Sequence, residues 1–138
     1  MALVLDTNVI YAALDHGQAA HEACRGLIEA SDEELIIPAP VLVEVDYFVG
    51  QKMYLGILLA LLRDIEVGNF RVVDLARGEY SRVEEIIQQY ADSNIGFVDA
   101  AVLAIVERLN EPKLATLDRR HFGMMRPRHI EALTLLPE

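Results

Sequence analysis

The sequence predicts an α/β fold in which helices are layered on a mostly parallel sheet, and three observations carry that expectation. Short, largely apolar runs recur along the chain at Ala2-Leu3-Val4-Leu5, Leu35-Ile36-Ile37, Phe70-Arg71-Val72-Val73 and Leu114-Ala115-Thr116-Leu117. Continuous runs of this length suit strands buried on both faces. Helix-length patterns separate them, as the crossovers of parallel strands require. The 138 residues are 53% apolar, enough to bury a core within one domain, residues 1–138, without disulfides or a structural metal.

In chain order, Ala2 to Leu5 is an expected strand, followed by the polar turn Asp6-Thr7-Asn8 and a helix from Val9 to Leu14. His21 to Ala30 reads as an amphipathic helix with Ala23, Leu27 and Ala30 on one side, and Ser31-Asp32-Glu33-Glu34 as a solvated loop. A second strand, Leu35 to Ile37, closes at Pro38-Ala39-Pro40, with Pro40 placed in the first turn of a helix over Val41 to Val49 that stops at Gly50. A further helix spans Tyr54 to Ile65. After the third strand at Phe70 to Val73, Gly78 to Ala91 is helical with Tyr80, Val83, Ile86, Ile87 and Tyr90 as its buried stripe. Phe97 to Val106 is a helix apolar almost throughout, Glu111-Pro112 breaks the chain, Lys113 to Asp118 is a strand that stops on an acid, and Leu133 to Leu136 is a last edge strand.

The formal charge of −10 and pI near 4.8 argue against unspecific wrapping of nucleic acid or an anionic membrane, since the overall field repels both. They leave open an enzyme that reaches phosphates through bound cations. Cys24 is the single cysteine, so no disulfide framework is expected and it reads as a small core residue. The start of the chain lacks a signal-peptide pattern and no run is long enough to span a membrane; a soluble, cytoplasmic protein is expected.

Candidate chemistry lies in isolated acids at the edges of apolar segments. Asp99 stands near the start of the most apolar helix, where an ionised group needs a pair, hydrogen bonds or a metal; a first-turn acid behind Ser93 or Asn94 as cap is the other reading. Asp6 and Asp118 each follow a strand, at the carboxyl edge where parallel α/β sheets bind ligands; each also suits a cap or turn. Glu44 is enclosed by Val41, Leu42, Val43 and Val45, whereas Asp46, about 200° further round the helix, faces away. Glu44 could equally be a core acid tied to an arginine. Four converging carboxylates repel one another unless a cation sits among them. With one cysteine and no paired spacing among His16, His21, His121 and His129, oxygen-preferring Mg2+ or Mn2+ is favoured over zinc.

Val4-Leu5-Asp6-Thr7-Asn8, Pro40-Val41-Leu42-Val43-Glu44-Val45, Gly96-Phe97-Val98-Asp99-Ala100-Ala101 and Thr116-Leu117-Asp118-Arg119-Arg120-His121-Phe122 resemble the four acidic motifs of PIN-domain ribonucleases, most closely the VapC toxins of toxin–antitoxin pairs. The resemblance spans almost the whole chain in order. It implies a PIN-like three-layer α/β/α sandwich, a Mg2+- or Mn2+-dependent endoribonuclease, and catalytic, metal-holding roles for Asp6, Glu44, Asp99 and Asp118. It also implies a homodimer, an RNA substrate and a small antitoxin partner. Thr7 and Asn8 match the polar pair that steadies a carboxylate or a metal-held water, and Asp92 reads as a capping acid.

Lys113, Arg119, Arg120, Arg126 and Arg128 make a local cationic stretch, in which Arg119 and Arg120, directly after an acid of the candidate site, are the expected RNA contacts. His121 reads as a structural or RNA-stacking residue, with a proton shuttle as the alternative. Met53 to Leu62 is apolar around its full circumference, so part of it suits a subunit or antitoxin interface, or else a central core helix. Competing functions are a housekeeping or non-cleaving PIN-like RNA-binding module and a phosphoryl-switch receiver. The receiver reading is weakened because Asp6 is followed by Thr7-Asn8 and because Lys113 stands at the start of its strand, before the end where the acids lie.

Overall fold

The structure, a computed structural model, describes residues 1–52 and 55–138. Strands β1 (Ala2–Leu5), β2 (Glu34–Pro38), β3 (Arg71–Val73), β4 (Lys113–Ala115) and β5 (Thr134–Leu136) form a sheet of order β3-β2-β1-β4-β5, with every neighbouring pair parallel. Helices α1 (Thr7–Leu14) and α2 (His21–Glu29) join β1 to β2, and α3 (Ala39–Lys52) and α4 (Leu55–Glu66) join β2 to β3. The chain then passes through α5 (Glu79–Gln89), a 3-10 turn at Ala91–Ser93 and α6 (Phe97–Leu109) to β4, and through α7 (Arg119–Met124) to β5. Helices thus flank an all-parallel sheet, the α/β arrangement expected from the sequence. Among the described residues no helix is long and apolar enough to cross a membrane.

Strand order positions the site. The chain runs outward from β1 through β2 to β3, then returns to β4 on the other side of β1. Connections leaving β1 and β4 therefore diverge, and the crevice opened at their carboxyl ends is where open α/β sheets hold ligands.

Burial explains why these runs are strands. Leu3, Val4, Leu5, Ile36, Ile37 and Leu114 are buried, as strands covered on both faces must be. Ala100 through Val106 are all buried along α6, which accounts for a helix without a polar face. That helix stops at Asn110, in the left-handed region at φ 55°, where the Asn110 N–H reaches Glu107 O and the Glu111 N–H reaches Val106 O. Buried Glu111 then accepts the Ala2 N–H at 3.0 Å, tying the helix end to the start of β1. A bidentate pair, Arg82 to Glu107 at 2.8 Å for both bonds, fastens α5 to α6.

Several local expectations are corrected. Helix α3 continues through Gly50 to Lys52: a helix interior tolerates glycine at a cost of about 1 kcal/mol, which packing of Val41, Val45 and Val49 in the core offsets. On α2 the inward residues are His21 and Cys24, with Leu27 and Ile28 half-buried, while Ala23 and Ala30 are exposed. Only Val83 and Ile86 of the proposed α5 stripe are buried, and Tyr80 is 54% exposed. Strand β2 begins at Glu34, where an Arg71 ion pair anchors it to β3, and β4 ends at Ala115, before the acid. The short helix α7 has no counterpart in the sequence reading, because six residues are too few to show a period.

Candidate active site

At the carboxyl end of β1 the backbone of Asp6 stays extended (φ −83°, ψ 164°), which makes it the N-cap of α1. Its side chain is enclosed, at 3% exposure, and accepts from the Thr7 N–H at 2.8 Å and the Thr116 hydroxyl at 2.7 Å. The Asp6 N–H donates to Ala115 O at 2.9 Å, so this acid is stitched to the end of β4. Burial pushes the Asp6 carboxyl up to about 7; its two hydrogen bonds oppose the rise, and the nearby charges of Asp99 and Glu44 add to it.

Glu44 projects from α3 and accepts from the Thr7 hydroxyl at 2.5 Å. Asp46 is exposed, as the helix geometry predicts. Asp99 lies in the first turn of α6, whose N-cap is Gly96. Neither Ser93 nor Asn94 serves as that cap: they belong to the 3-10 turn and its left-handed end. The Asp99 carboxyl is raised chiefly by burial, with His121 pulling it down and Asp118 and Glu44 pushing it up. Asp118 is the N-cap of α7, accepting from the His121 N–H at 2.9 Å. The same histidine folds back so that its Nδ1 stands 3.0 Å from Asp118 Oδ2 and 3.1 Å from Asp99 Oδ2.

Thus four acids from four separate elements line one open cleft of about 390 Å3, together with Thr7 and Asn8. Tyr11 and Phe48, with ring centroids 5.6 Å apart, form an aromatic wall, and Gln18 completes the rim. Among the described residues, no arginine or lysine lines the cleft. The polar pair divides its work: Thr7 fixes the Glu44 carboxylate, whereas the Asn8 carbonyl accepts the Leu117 N–H at 2.9 Å and so holds the loop that carries Asp118.

One residue adds to those singled out in the sequence, and one already named there takes a defined place. Fully buried Thr116 donates to Asp6 and accepts the Asp118 N–H at 3.0 Å, coupling the first and fourth acids through one hydroxyl. Its signal was a polar residue at the end of an apolar strand, two before an acid. His121 bridges two acids, and its signal was the spacing of three from Asp118, one helical turn.

The cationic stretch is dispersed. Arg119 bonds the carbonyls of Leu135 and Pro137, bracing β5, while Lys113 pairs with Glu33 and Arg128 with Glu85. Arg120 is exposed. Because Lys113 begins β4, at the opposite end from the acids, it does not serve as the cleft lysine that a receiver domain needs.

The donor set suits a hard divalent cation: carboxylate oxygens of four acids converge on one cleft, and oxygen ligands are what Mg2+ and Mn2+ prefer. Donor atoms of Asp99, Asp118 and His121 all lie within 4.8 Å of one another. Asp6 and Glu44 close the other side of the cleft.

Comparison with known proteins agrees with this arrangement. The sequence profile of the PIN domain family matches residues 3–124, a span that includes all four acids. The Mycobacterium tuberculosis protein Ribonuclease VapC26 is 30% identical over 135 residues, covering 98% of this chain and 100% of the relative. In structure, the chain resembles Mycobacterium tuberculosis VapC20, described as a Sarcin-Ricin loop cleaving toxin, with a TM-score of 0.72 at 18% identity over 81% of this chain and 86% of that one. It also resembles VapBC2 from Rickettsia felis, solved bound to a DNA fragment from its promoter, with a TM-score of 0.71 at 19% identity over 99% of this chain and 100% of that one. With the fold, the ordered acids and the full-length relative in agreement, the chain belongs to the PIN domain family as a VapC-like member.

Proposed function

We propose that this PIN domain is an endoribonuclease dependent on Mg2+ or Mn2+, the toxin of a toxin–antitoxin pair. The observation that carries the reading is the convergence of Asp6, Glu44, Asp99 and Asp118 in one cleft. Two carboxylates about 5 Å apart repel by roughly 3 kcal/mol at an effective dielectric near 20, so a cluster of this kind is suited to holding a cation. A bound divalent ion would supply charge neutralisation for an RNA phosphodiester and activation of water. The chain's own residues aim the carboxylates: Thr116 and the Thr7 N–H hold Asp6, Thr7 holds Glu44, and the α7 backbone holds Asp118. Phe48, 39% exposed beside the acids, offers a face for a base, and exposed Arg120, two residues after Asp118, is the freer of the two arginines for an RNA phosphate, since Arg119 bonds the carbonyls of Leu135 and Pro137.

Partner binding is supported by apolar surface. Leu55, Leu59 and Leu62 are exposed along one side of α4, and Val43 and Tyr47 along α3, a pattern that suits a homodimer. Met53 and Tyr54, the first residues of the apolar helix read from the sequence, lie outside the described residues. Between α1, α2 and α4 a groove of about 570 Å3, larger than the acidic cleft, is lined by Ile10, Leu14, Ile28, Ile57, Leu61 and Phe70; it offers a seat for an apolar segment of a small antitoxin. The larger volume carries no cluster of acids, so chemistry is assigned to the smaller cleft.

The test is RNA cleavage by the purified chain. Cleavage is expected to stop in EDTA and return with Mg2+ or Mn2+; undiminished cleavage in EDTA overturns metal dependence, and none under any condition leaves a binding module. Induction in a bacterial host is expected to arrest growth. Normal growth alongside active enzyme would remove the toxin role and leave a housekeeping nuclease.

A further inference from the structure

Among the described residues, His121 reaches into the acid cluster without a place in the reading above. His121 Nδ1 stands between Asp118 Oδ2 and Asp99 Oδ2, at 3.0 and 3.1 Å. Its position is built in: the backbone N–H of the same residue bonds Asp118 Oδ1, so the cap of α7 fixes the main chain from which the ring folds back. Phe122, the next residue, is buried in the core and holds the helix down. The ring itself is half-buried, with 21% of the side chain exposed.

The spacing fits ligation as well as hydrogen bonding. In an octahedral site with bonds of about 2.1 Å, neighbouring ligand atoms lie about 3 Å apart. His121 Nδ1 has that separation from one carboxylate oxygen of each acid, and a ligand atom from each of the three residues lies within 4.8 Å of the other two. A cation seated there meets nitrogen as well as oxygen. Imidazole suits transition ions, whereas Mg2+ favours carboxylate, carbonyl and water.

Resting on the cation reading of the cleft, we propose that His121 is a ligand through Nδ1, and that with Asp99 and Asp118 it biases the site toward a nitrogen-accepting divalent ion, Mn2+ over Mg2+. An all-carboxylate site lacks this bias.

The test uses the purified full chain with Mn2+ as the probe. Pulsed electron paramagnetic resonance of the bound ion is expected to show nitrogen coupling from 14N, which becomes 15N coupling when histidine is 15N-labelled and disappears in His121→Gln. That substitution exchanges a nitrogen donor for an amide oxygen, so calorimetry is expected to show Mn2+ affinity about tenfold weaker and Mg2+ affinity within about twofold of wild type. Labelling of the unaltered chain provides the result independently of whether the variant folds. If Asp99→Asn weakens Mn2+ binding but no nitrogen coupling is seen, His121 is not a ligand and the cation site stands. Coupling that survives His121→Gln, or equal loss of both ions, also overturns the proposal. If Mn2+ binding is absent, or is unaffected by Asp99→Asn, the cation reading fails with it.

Discussion

Asp99→Asn is expected to lower RNA cleavage about 10²- to 10³-fold, the scale of removing one electrostatic element from an active site, while leaving the metal-free protein at least as stable as wild type. Asn keeps the shape of Asp in the first turn of α6 and can still accept from the His121 ring. What it removes is a half-buried charge facing Asp118 and Glu44, whose combined effect with burial already raises the Asp99 carboxyl above its ordinary range. The ionised form is thus disfavoured by folding at neutral pH, and its replacement by a neutral group relieves that cost. A structural acid behaves in the opposite way. Cleavage rates and urea denaturation in EDTA separate the two: retained cleavage with a loss of a kcal/mol or more of stability would make Asp99 a helix-terminus acid and no more.

Asp6→Asn carries the largest expected effect of pH on stability. The Asp6 carboxyl has an ordinary value of 3.8 and rises to about 7 in the folded chain. Between these values the native state binds more protons than the unfolded state, so metal-free stability falls as pH rises through that window. Each unit corresponds to about 1.4 kcal/mol, which sets a ceiling of about 4 kcal/mol on the loss by pH 7.5. An asparagine does not titrate, though it weakens the hydrogen bond from Thr116. Relative to wild type, Asp6→Asn is expected to gain about 2–4 kcal/mol between pH 4 and pH 7.5 in EDTA. Parallel urea-stability profiles for the two proteins would show that Asp6 ionises normally.

Strands and the acids after them were legible because a parallel strand buried on both faces admits few polar residues until it leaves the sheet. Val4-Leu5-Asp6 and Leu114-Ala115 before Asp118 announce those exits. Sequence reasoning set a capping role for Asp6 and Asp118 against a functional one, yet the structure gives each both geometries: a strand's carboxyl end feeds the N-terminus of the next helix, so one residue caps that helix and borders the crevice. Less legible were contacts between distant segments. Nothing local in Thr116 says that its hydroxyl reaches Asp6, 110 positions away in the chain, and nothing local in Arg119 says that it braces the carbonyls of β5. Helix ends shifted for a similar reason, since core packing of Val49 carries α3 beyond Gly50.

Four acids scattered through the sequence are expected to act as a single cation site. Calorimetric titration of Mn2+ into the metal-free chain tests it most directly, with Asp46→Asn as the control from the exposed side of α3. Wild type and Asp46→Asn are expected to bind with equal affinity, and Asp6→Asn and Asp99→Asn each to bind at least about tenfold more weakly. Affinity that is unchanged in Asp6→Asn and Asp99→Asn, or lowered equally by Asp46→Asn, would mean that the four acids do not form one cation site.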